Sequence, residues 1–434
     1  MQKLPGFRDF LPDDCAVRNY IFARWREVAR RYGFVEWEGP ILEPTELYKK
    51  KSGSEIVDQL FNFTDKGERE VAMRPELTPT LARVVAAHER EFKKPLKWFS
   101  IGRFFRFEKQ QRGRLREHFQ LNCDIVGESS VAADAELVAL VVDLLRDFAL
   151  TEEDFVVRLS SRDVWLAFLA NKIKAFNEPE LRRFFEIVDK IDRQEETKTA
   201  ELLQPFSTSI DEIRDWVKST RDFLLNPKTD RSQFEGTTLG KIHELLHDHL
   251  GPRHIGPYLD VDFTVVRGLA YYTGIVFEVF DRKKKLRAIA GGGRYDNLIR
   301  QLSGGGVSMP ALGFAMGDVV IGDLINEVPR ARLQMHNETQ KDLWIQIYAV
   351  IAKEERRPDA LAQIQLLRDA GYRVDYPLRP EKVGKQFQTA EQLGATFAVV
   401  FGDEWPQLKV KKFSTRQETL IPHDQLLNHL PRPE

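Results

Sequence analysis

The fold is decided by the stretch LKWFSIGRFFRFEKQQRGRLREHFQLNCDIV at residues 96–126. Residues 96–107 and 119–126 are rich in aromatic and β-branched side chains, which favour strands. The connection between them, residues 108–118, is too long and too charged for a tight hairpin turn. This stretch therefore predicts two strands of one sheet, joined by a long basic loop.

Helical and strand patterns lie on both sides of this stretch. Residues 13–32 carry apolar side chains at three- and four-residue steps, which predicts an amphipathic helix. Residues 34–42 predict an irregular strand that ends near Pro40, since proline interrupts strand pairing. Residues 131–148 are apolar nearly all round, which indicates a helix buried against the sheet.

The pattern changes after residue 161. Residues 162–250 are rich in helix formers and charge, with few strand signals, and predict a helical insertion. Strand patterns return in residues 260–266 and 275–280. Gly291, Gly292 and Gly293 then predict a turn before a helix.

The end of the chain predicts a second domain. Residues 327–341 are polar and without periodicity, which is typical of a linker. Residues 342–434 alternate strand and helix patterns, which predicts a small α/β domain with parallel strands. The expected division is therefore 1–161 and 251–326 for the first domain, 162–250 for its insertion, 327–341 for the linker and 342–434 for the second domain.

Composition narrows the class of protein. The 434 residues predict about three structural units. Lys and Arg number 65 against 66 Asp and Glu, so a nucleic-acid partner must be met by local basic patches. Cys15 and Cys123 cannot form a disulfide framework, and we find neither a signal core nor an apolar run of bilayer length. We therefore expect a cytoplasmic protein without a membrane partner.

The loop between the two strands carries the densest charge cluster. Its cations, with those of the adjoining strand, face one acid, Glu108. They are Arg103, Arg106, Lys109, Arg112, Arg114 and Arg116. Arginine binds phosphate in two-point geometry, so a nucleotide or RNA contact is one interpretation. A solvated loop is the other.

Four further segments have a chemical and a structural interpretation. RPELT at residues 74–78 offers a carboxylate and a hydroxyl for an ammonium group, or forms a turn and helix cap. RGLAYYTG at 267–274 and GGGRYD at 291–296 combine glycines with tyrosines, for ligand contact or for packing. The cationic run 282–287 favours a solvated turn.

The order of these motifs resembles that of histidyl-tRNA synthetases, a family of class II aminoacyl-tRNA synthetases, over essentially the whole chain. The pair RGLAYYTG and GGGRYD is similar to the family's two signature segments. The resemblance implies an α+β catalytic domain, with an antiparallel sheet flanked by helices and a helical insertion, followed by an α/β anticodon-binding domain. It also implies a homodimer, since the segment ending at Pro40 resembles the dimer-forming motif of the class.

The resemblance further implies a reaction and its substrates. The family activates L-histidine with ATP to histidyl-adenylate and pyrophosphate, then esterifies the 3′ end of tRNA-His. Mg2+ would be bound mainly through the phosphates of ATP, and no protein side chain is assigned to a metal. The nucleophile is the carboxylate of the substrate, so alignment and charge stabilisation matter more than a protein base.

The motif positions assign residues to three roles. Catalysis is assigned to Arg106 and Arg267, on opposite sides of the α-phosphate. ATP binding is assigned to Arg106, Glu108, Arg114 and His118, the last as the ring stacked on adenine. Histidine binding is assigned to Glu76, Thr78, Gln120, Asp124, Arg267, Tyr271, Tyr272 and Tyr295. Within that set, Glu76, Thr78 and Gln120 would hold the ammonium group, and Asp124 and Tyr272 the two ring nitrogens.

Several positions depart from the family pattern, and two of them bear directly on the substrates. Val320 stands where class II motif 3 has an arginine that binds the γ-phosphate, so either Arg114 or Arg83 replaces it or adenylate formation is impaired. Asp124 replaces a glutamate and is shorter by one methylene. Two alternatives to an active enzyme therefore remain. One is a catalytically retired paralogue that regulates histidine biosynthesis, and the other is an RNA- or histidine-binding protein without chemistry.

Overall fold

The structure is a computed structural model that describes residues 2–49, 57–109, 111–173, 176–191, 194–230, 232, 234–265, 271–343 and 345–432. The chain divides into two compact units, Met1–His336 and Asn337–Glu434. None of the helices in these described ranges is long and apolar enough to cross a lipid bilayer.

The strands of the first unit form a large sheet and a small one. In chain order they are β1 Val35–Glu36, β2 Leu42–Pro44, β3 Phe61–Thr64, β4 Glu70–Met73, β5 Leu96–Phe105, β6 Glu117–Val126, β7 Phe155–Ser161, β8 Leu259–Val261, β9 Thr273–Asp281, β10 Ala290–Arg294 and β11 Ala311–Gly317. The large sheet has the order β1-β5-β6-β11-β10-β9-β7-β8, and the small sheet has the order β2-β4-β3. Only the edge pairs β1–β5 and β7–β8 of the large sheet are parallel. The predicted α+β fold with an antiparallel central sheet is confirmed.

Helices flank the sheet and fill the insertion. In chain order they are α1 Pro12–Arg31, α2 Thr45–Lys49, α3 Thr78–Ala87, α4 Val131–Arg146, α5 Arg162–Ala170, α6 Glu178–Asp189, α7 Glu196–Leu203, α8 Ile210–Leu225, α9 Thr238–Glu244, α10 Leu298–Leu302, α11 Asp318–Glu327 and α12 Pro329–Leu343. A π-helical turn, Leu245–Leu250, follows α9. Short 3-10 turns lie at Gln204–Phe206, Gly251–Arg253 and Gly256–Tyr258.

The segment predicted as an insertion, residues 162–250, is helical in its described part. Aromatic rings hold it together: Trp165 and Phe184 lie 5.4 Å apart, and Phe184 and Phe206 lie 5.2 Å apart. All three belong to the same hydrophobic core as the large sheet. The described part of this segment thus shares the hydrophobic core of the first unit, to which it belongs.

The two faces of β6 have different surroundings. Leu121, Cys123 and Ile125 are buried in the core that the sheet forms with α1 and α4. Successive side chains of a strand point to opposite faces, so Gln120 and Asp124 lie on the other face. This alternation is what presents polar groups of a buried strand to a cavity.

The three successive glycines lie inside β10, so the predicted turn at 291–293 is wrong. A Cβ on Gly292 would stand 2.2 Å from the carbonyl oxygen of Gly313, and one on Gly293 would stand 2.7 Å from Val276. The glycines therefore allow β9 and β11 to approach β10 closely. Their role is sheet packing, which local turn propensity cannot reveal.

The second unit has one five-stranded sheet, of order β13-β12-β14-β15-β16. Its strands are β12 Ile347–Ile351, β13 Val374–Asp375, β14 Phe397–Phe401, β15 Gln407–Lys412 and β16 Glu418–Pro422. Its helices are α13 Arg357–Asp369, α14 Val383–Gln392 and α15 Leu426–His429, with 3-10 turns at Glu354–Arg356 and His423–Gln425. The predicted parallel strands are β13, β12 and β14. The antiparallel hairpin of β15 and β16 was not predicted.

The segment predicted as a linker is mostly helical. Helix α12 covers Pro329–Leu343, and the boundary between the two units falls within it. Its mean side-chain character is polar, which is why no periodic apolar pattern marks it. The exact domain limits that we predicted stay predictions.

Candidate active site

A cavity of about 390 Å³ opens beside β6, β10 and β11 in the first unit. Its volume is in the range of small-molecule sites. It is lined by every predicted site residue that the structure describes. These are Glu76, Thr78, Arg106, Glu108, Arg114, His118, Gln120, Asp124, Tyr271, Tyr272 and Tyr295. Segments far apart in sequence therefore meet at one site, while the role of each residue stays a prediction.

Arg267, predicted to act at the α-phosphate, lies outside the described residues, as do its neighbours 266–270. The described part of the same signature begins at Tyr271, whose side chain lines the cavity.

The deep end of the cavity contains a hydrogen-bonded pair, Asp124 and Tyr295. The hydroxyl of Tyr295 donates to Oδ1 of Asp124 at 2.6 Å. Burial raises the pKa of Asp124 to about 7, and the bond from Tyr295 offsets part of that rise. Burial and the neighbouring carboxylate raise the pKa of Tyr295 well above its usual range, so the tyrosine keeps its proton. Asp124 can therefore accept from Tyr295 and still offer an acceptor to a ligand.

A glycine makes room for this pair. Gly313 on β11 lies directly opposite Asp124 of β6. A Cβ at position 313 would stand 2.0 Å from Oδ1 of Asp124. Only a residue without a side chain fits there while Asp124 keeps its position.

A second buried pair lies beside the first. The hydroxyl of Tyr271 donates to Oε2 of Glu76 at 2.7 Å. The ring centroid of Tyr271 lies 5.1 Å from that of Tyr272 and 6.0 Å from that of Tyr295. Burial and the charge of Glu76 raise the pKa of Tyr271 well above its usual range. A buried carboxylate beside a cluster of aromatic rings is suited to bind an ammonium group.

Arginines line the mouth of the cavity. Arg106 follows β5, and its Nε donates to the carbonyl oxygen of Pro75 at 3.0 Å, which fixes its direction. Nη1 of Arg106 lies 4.0 Å from Oε1 of Glu108, and Arg114 forms an ion pair with the same carboxylate. Glu108 thus holds two guanidinium groups side by side, an arrangement that suits phosphate oxygens.

His118 belongs to β6 and lies near these cations. Burial, followed by the charges of Arg106, Arg8 and Arg114, lowers its pKa to about 3. The imidazole is therefore neutral at physiological pH, and a neutral ring can stack on a base without adding charge. The ring centroid of Phe104 lies 6.1 Å away.

The helix that follows the last strand brings apolar residues to the cavity. Val319 and Val320, in the first turn of α11, both line it. Of the two substitute cations that we considered, Arg83 forms an ion pair with Glu43 at 2.6 Å and does not line the cavity. Arg114 lines the cavity but is paired with Glu108.

Asp318, which begins α11, ties three distant segments together. Its Oδ2 accepts from Nη2 of Arg8 at 2.7 Å, and its Oδ1 accepts from the backbone N–H of Phe119 at 2.9 Å. The N-terminal segment is also joined to the loop, because the carbonyl oxygen of Gly6 accepts from the N–H groups of Arg116 and Glu117. These bonds hold the loop, α11 and the N-terminal segment beside one another.

Two side chains of the GGGRYD signature, those of Arg294 and Tyr295, have different roles. Arg294 is buried and donates to Asp134 of α4 at 2.5 and 3.0 Å, and to the carbonyl oxygens of Glu128 and Ser130. Tyr295 instead extends to Asp124. The arginine therefore fixes the strand, while the tyrosine forms the site.

Four lining residues with polar side chains were not predicted: Gln59, Asn122, Glu278 and Arg287. Asn122 could have been found, since it alternates with Gln120 and Asp124 along β6. Arg287 was interpreted as part of a solvated turn. Among the described residues, no group of three His, Cys, Asp or Glu side chains is placed to hold a metal ion.

Comparison with known proteins finds a family match for each of the two units. The histidyl-tRNA synthetase family profile matches residues 6–318, and an anticodon-binding domain profile matches residues 346–432. The chain is 43% identical to the histidine–tRNA ligase of Opitutus terrae, over 98% of this chain and 97% of that protein. It is 38% identical to the chloroplastic/mitochondrial histidine–tRNA ligase of Arabidopsis thaliana, over 95% of this chain and 83% of that protein.

Solved structures share the fold. The histidyl-tRNA synthetase of Nostoc sp. PCC 7120 superposes with a TM-score of 0.75 at 22% identity, covering 99% of each chain. A protein described as an ATP phosphoribosyltransferase regulatory subunit/histidyl-tRNA synthetase from Bacillus halodurans superposes with a TM-score of 0.70 at 22% identity, covering 92% of this chain and 98% of that one. The matched profile and the relatives above 30% identity show that the chain belongs to the histidyl-tRNA synthetase family.

Proposed function

We propose that this protein is an active histidine–tRNA ligase, which forms histidyl-adenylate from L-histidine and ATP and then esterifies the 3′ end of tRNA-His. The observation that carries the proposal is the composition of one cavity. Buried acceptors for an amino acid, Glu76 and Asp124, lie in the same cavity as the arginines Arg106 and Arg114. A protein that only bound histidine would have no use for that second group.

In this proposal the deep end selects the amino acid. The ammonium group of histidine binds Glu76, with Thr78 and Gln120 beside it. One ring nitrogen donates to Asp124, and the other meets Tyr272. A substrate without either ring nitrogen would leave a buried polar group unpaired, which gives strong discrimination.

The mouth of the cavity holds ATP. Arg106 and Arg267 act on the α-phosphate, Glu108 and Arg114 lie beside the nucleotide, and His118 stacks on adenine. The histidine carboxylate attacks the α-phosphorus as the bond to the β-phosphate breaks, and pyrophosphate leaves. The arginines offset the charge that develops in this step. Mg2+ would be bound mainly through the phosphates of ATP, where it would offset part of their charge.

The decisive experiment is histidine-dependent exchange of pyrophosphate into ATP by the purified protein with Mg2+. The proposal predicts exchange with L-histidine and none without it, and aminoacylation of tRNA-His in a second assay. Absence of exchange together with retained histidine binding would favour the regulatory paralogue. That alternative rests on Val319 and Val320, which cannot supply the charged side chains of motif 3.

A second experiment tests the role of Arg267. We expect Arg267→Ala to abolish exchange while histidine binding partly survives. Equal loss of both would show that Arg267 chiefly supports the pocket.

Recognition of tRNA is assigned to the second unit. Its residues 346–432 match the anticodon-binding domain profile. Single-stranded bases are usually bound by stacking and by hydrogen bonds to their edges, which does not require a basic domain. Deleting residues 345–434 should therefore reduce aminoacylation far more than pyrophosphate exchange.

We also propose that the protein is a cytoplasmic homodimer. Both cysteines are free, as a reducing compartment would keep them. Large apolar side chains are exposed around the segment that resembles the dimer-forming motif: Val35 is 63% exposed, Ile41 45% and Phe63 49%. Burial of such side chains is the usual driving force for association. Sedimentation at micromolar concentration should give twice the mass of the chain.

A further inference from the structure

Val320 stands where motif 3 has an arginine, and the structure places another arginine, Arg287, near Val320. Arg287, in the connection before β10, lines the same cavity as Val320. A Cβ built on Gly113 of the loop would stand 3.2 Å from Cγ2 of Val320 and 3.7 Å from Cδ of Arg287. The two side chains therefore converge on one point of the loop that carries Arg114.

The backbone around Arg287 is fixed on both sides. Before it, the buried carboxylate of Asp281 accepts from the N–H groups of Lys285 and Leu286, both at 2.9 Å. After it, the N–H of Ile289 donates to the carbonyl oxygen of Val279 at 2.8 Å. The side chain reaches across to the loop, where its Nη1 donates to Oε1 of Gln111 at 3.2 Å. Arg287 is therefore held over the cavity and is not part of a free turn.

Arg287 also differs in charge balance from its neighbours. Arg114 is paired with Glu108, and Arg112 is paired with Glu327 at 2.5 Å. Within the described ranges, Arg287 has an amide oxygen as its partner and no carboxylate. A guanidinium without a carboxylate can turn to phosphate oxygens without losing an ion pair.

We infer that Arg287 binds the β- and γ-phosphates of ATP and replaces, from a different segment, the arginine that Val320 lacks. The inference deepens the proposed function and rests on it for the identity of the nucleotide. Three observations support the inference together. Arg287 lies near Val320, hydrogen bonds fix the backbone around it, and no carboxylate of the described residues is paired with its guanidinium group. The leaving pyrophosphate would be held by the same guanidinium, so Arg287 contacts a reacting group directly.

The test compares nucleotides that differ in the phosphates beyond the α-position. For Arg287→Ala we expect the dissociation constant of a non-hydrolysable ATP analogue to rise by roughly 10- to 100-fold, as expected for loss of a charged hydrogen bond. The dissociation constants of AMP and of histidine should change by less than about two-fold. Lys283→Ala is the matched control, because it removes an exposed cation from the same connection. It should leave all three constants unchanged.

A rescue experiment tests the replacement itself. Adding Val320→Arg to Arg287→Ala returns a cation to the motif 3 position, and should recover at least half of the lost binding free energy for the ATP analogue. Arg287→Lys should lose less than Arg287→Ala, since it keeps the charge but not the two-point geometry.

Three results would overturn the inference. They are an unchanged affinity for the ATP analogue in Arg287→Ala, an equal loss of AMP affinity, and a selective loss that Val320→Arg does not recover. These binding measurements need no catalysis. Failure of pyrophosphate exchange in the unaltered protein would therefore refute the proposed function while leaving the role of Arg287 to be decided by binding alone.

Discussion

The deep end and the mouth of the cavity hold their polar groups in opposite ways. At the deep end, Asp124 is 4% exposed and Tyr295 is 2% exposed, and the two form a hydrogen-bonded pair. At the mouth, the side chain of Arg106 is 25% exposed and that of Arg114 is 33% exposed. Buried hydrogen bonds discriminate by geometry, whereas partly exposed charges act through a field that salt can screen. One cavity thus combines a selective end with an electrostatic end.

The largest expected effect comes from disturbing the geometry of the deep end. In Gly313→Ala, the new Cβ would meet Oδ1 of Asp124 at 2.0 Å and the carbonyl oxygen of Cys123 at 2.9 Å. We expect kcat/KM for histidine in pyrophosphate exchange to fall about 1,000-fold, or about 4 kcal/mol. The free energy of unfolding should fall by about 1–3 kcal/mol, as in overpacked cores.

Gly322→Ala is the matched control for this variant. Gly322 lies in α11, and a Cβ there would meet no atom within 4 Å. Alanine should therefore raise the stability of the helix by about 0.5–1 kcal/mol and leave kcat/KM unchanged. If Gly313→Ala also kept full activity, the tight fit around Asp124 would not matter for histidine.

A smaller effect is expected from removing one hydrogen bond at the deep end. Tyr295→Phe leaves Asp124 buried without its donor, which costs about 1–3 kcal/mol. KM for histidine should rise roughly 10- to 100-fold, while KM for ATP changes little. Tyr372→Phe provides the control, because it removes a hydroxyl bond to the carbonyl oxygen of Pro431 in the second unit. An equal rise of both KM values in Tyr295→Phe would mean that the two ends of the cavity are not independent.

The deep end should also respond to pH. Since burial raises the pKa of Asp124 to about 7, its carboxylate is lost as the pH falls below that value. We expect kcat/KM for histidine to fall by up to about ten-fold per pH unit below 7. Asp124→Asn should remove this dependence, whereas ionisation of the substrate itself affects both proteins alike. An identical profile in the variant would assign the titration to another group.

The free energy of unfolding should also depend on the ionisation of Asp124, but it should decrease as the pH rises. The raised pKa means that the folded protein holds a proton which the unfolded chain releases near pH 4. The stability penalty of Asp124 is absent below about pH 4, grows up to about pH 7 and is constant above. The difference in unfolding free energy between Asp124→Asn and the unaltered protein should therefore increase over this window, measured by urea unfolding.

Binding of ATP at the mouth of the cavity should depend on the salt concentration. Raising KCl from about 0.05 to 0.5 M shortens the screening length to less than half and should increase KM for ATP several-fold. The dissociation constant of histidine should change by less than about two-fold, because its partners are buried. Equal salt dependence for the two substrates would remove the distinction between the ends.

The smallest effect is expected at His118. Because its pKa is lowered to about 3, the imidazole carries no charge at pH 7. His118→Phe keeps a stacking ring and should change KM for ATP by less than about two-fold, whereas His118→Ala should raise it by roughly ten-fold. A large loss in His118→Phe would show that a ring nitrogen, and not stacking, makes the contact.

Local sequence patterns were sufficient for the elements that carry the site. The aromatic and β-branched side chains of residues 119–126 predicted β6. Alternation along that strand puts Asn122 on the same face as Gln120 and Asp124, although it was not among the predicted site residues. The family resemblance supplied Glu76 and Tyr295 as site residues, and the structure brings them to one cavity. What a strand presents to one face is a local property, so the sequence can reveal it.

Contacts across the sheet were out of reach of local patterns. Arg287 and Gln111 are 176 residues apart, and only the order of the strands brings them together. Gly292 was predicted in a turn because glycine favours turns. In the structure, the space for its side chain is occupied by the carbonyl of Gly313 from a neighbouring strand. The wrongly predicted turn arises because tertiary packing overrides local preference.

The position of β11 in the sheet determines when the cavity can form during synthesis of the chain. In the sheet, β11 is the strand that joins the half containing β1, β5 and β6 to the half containing β10, β9, β7 and β8. It is also the last of these strands to leave the ribosome. At about 5–20 residues per second, roughly 10–40 s separate the synthesis of Asp124 from that of Gly313. During that time the two parts of the sheet are incomplete and must avoid pairing with other chains, and the proposed histidine pocket cannot form until the joining strand is inserted.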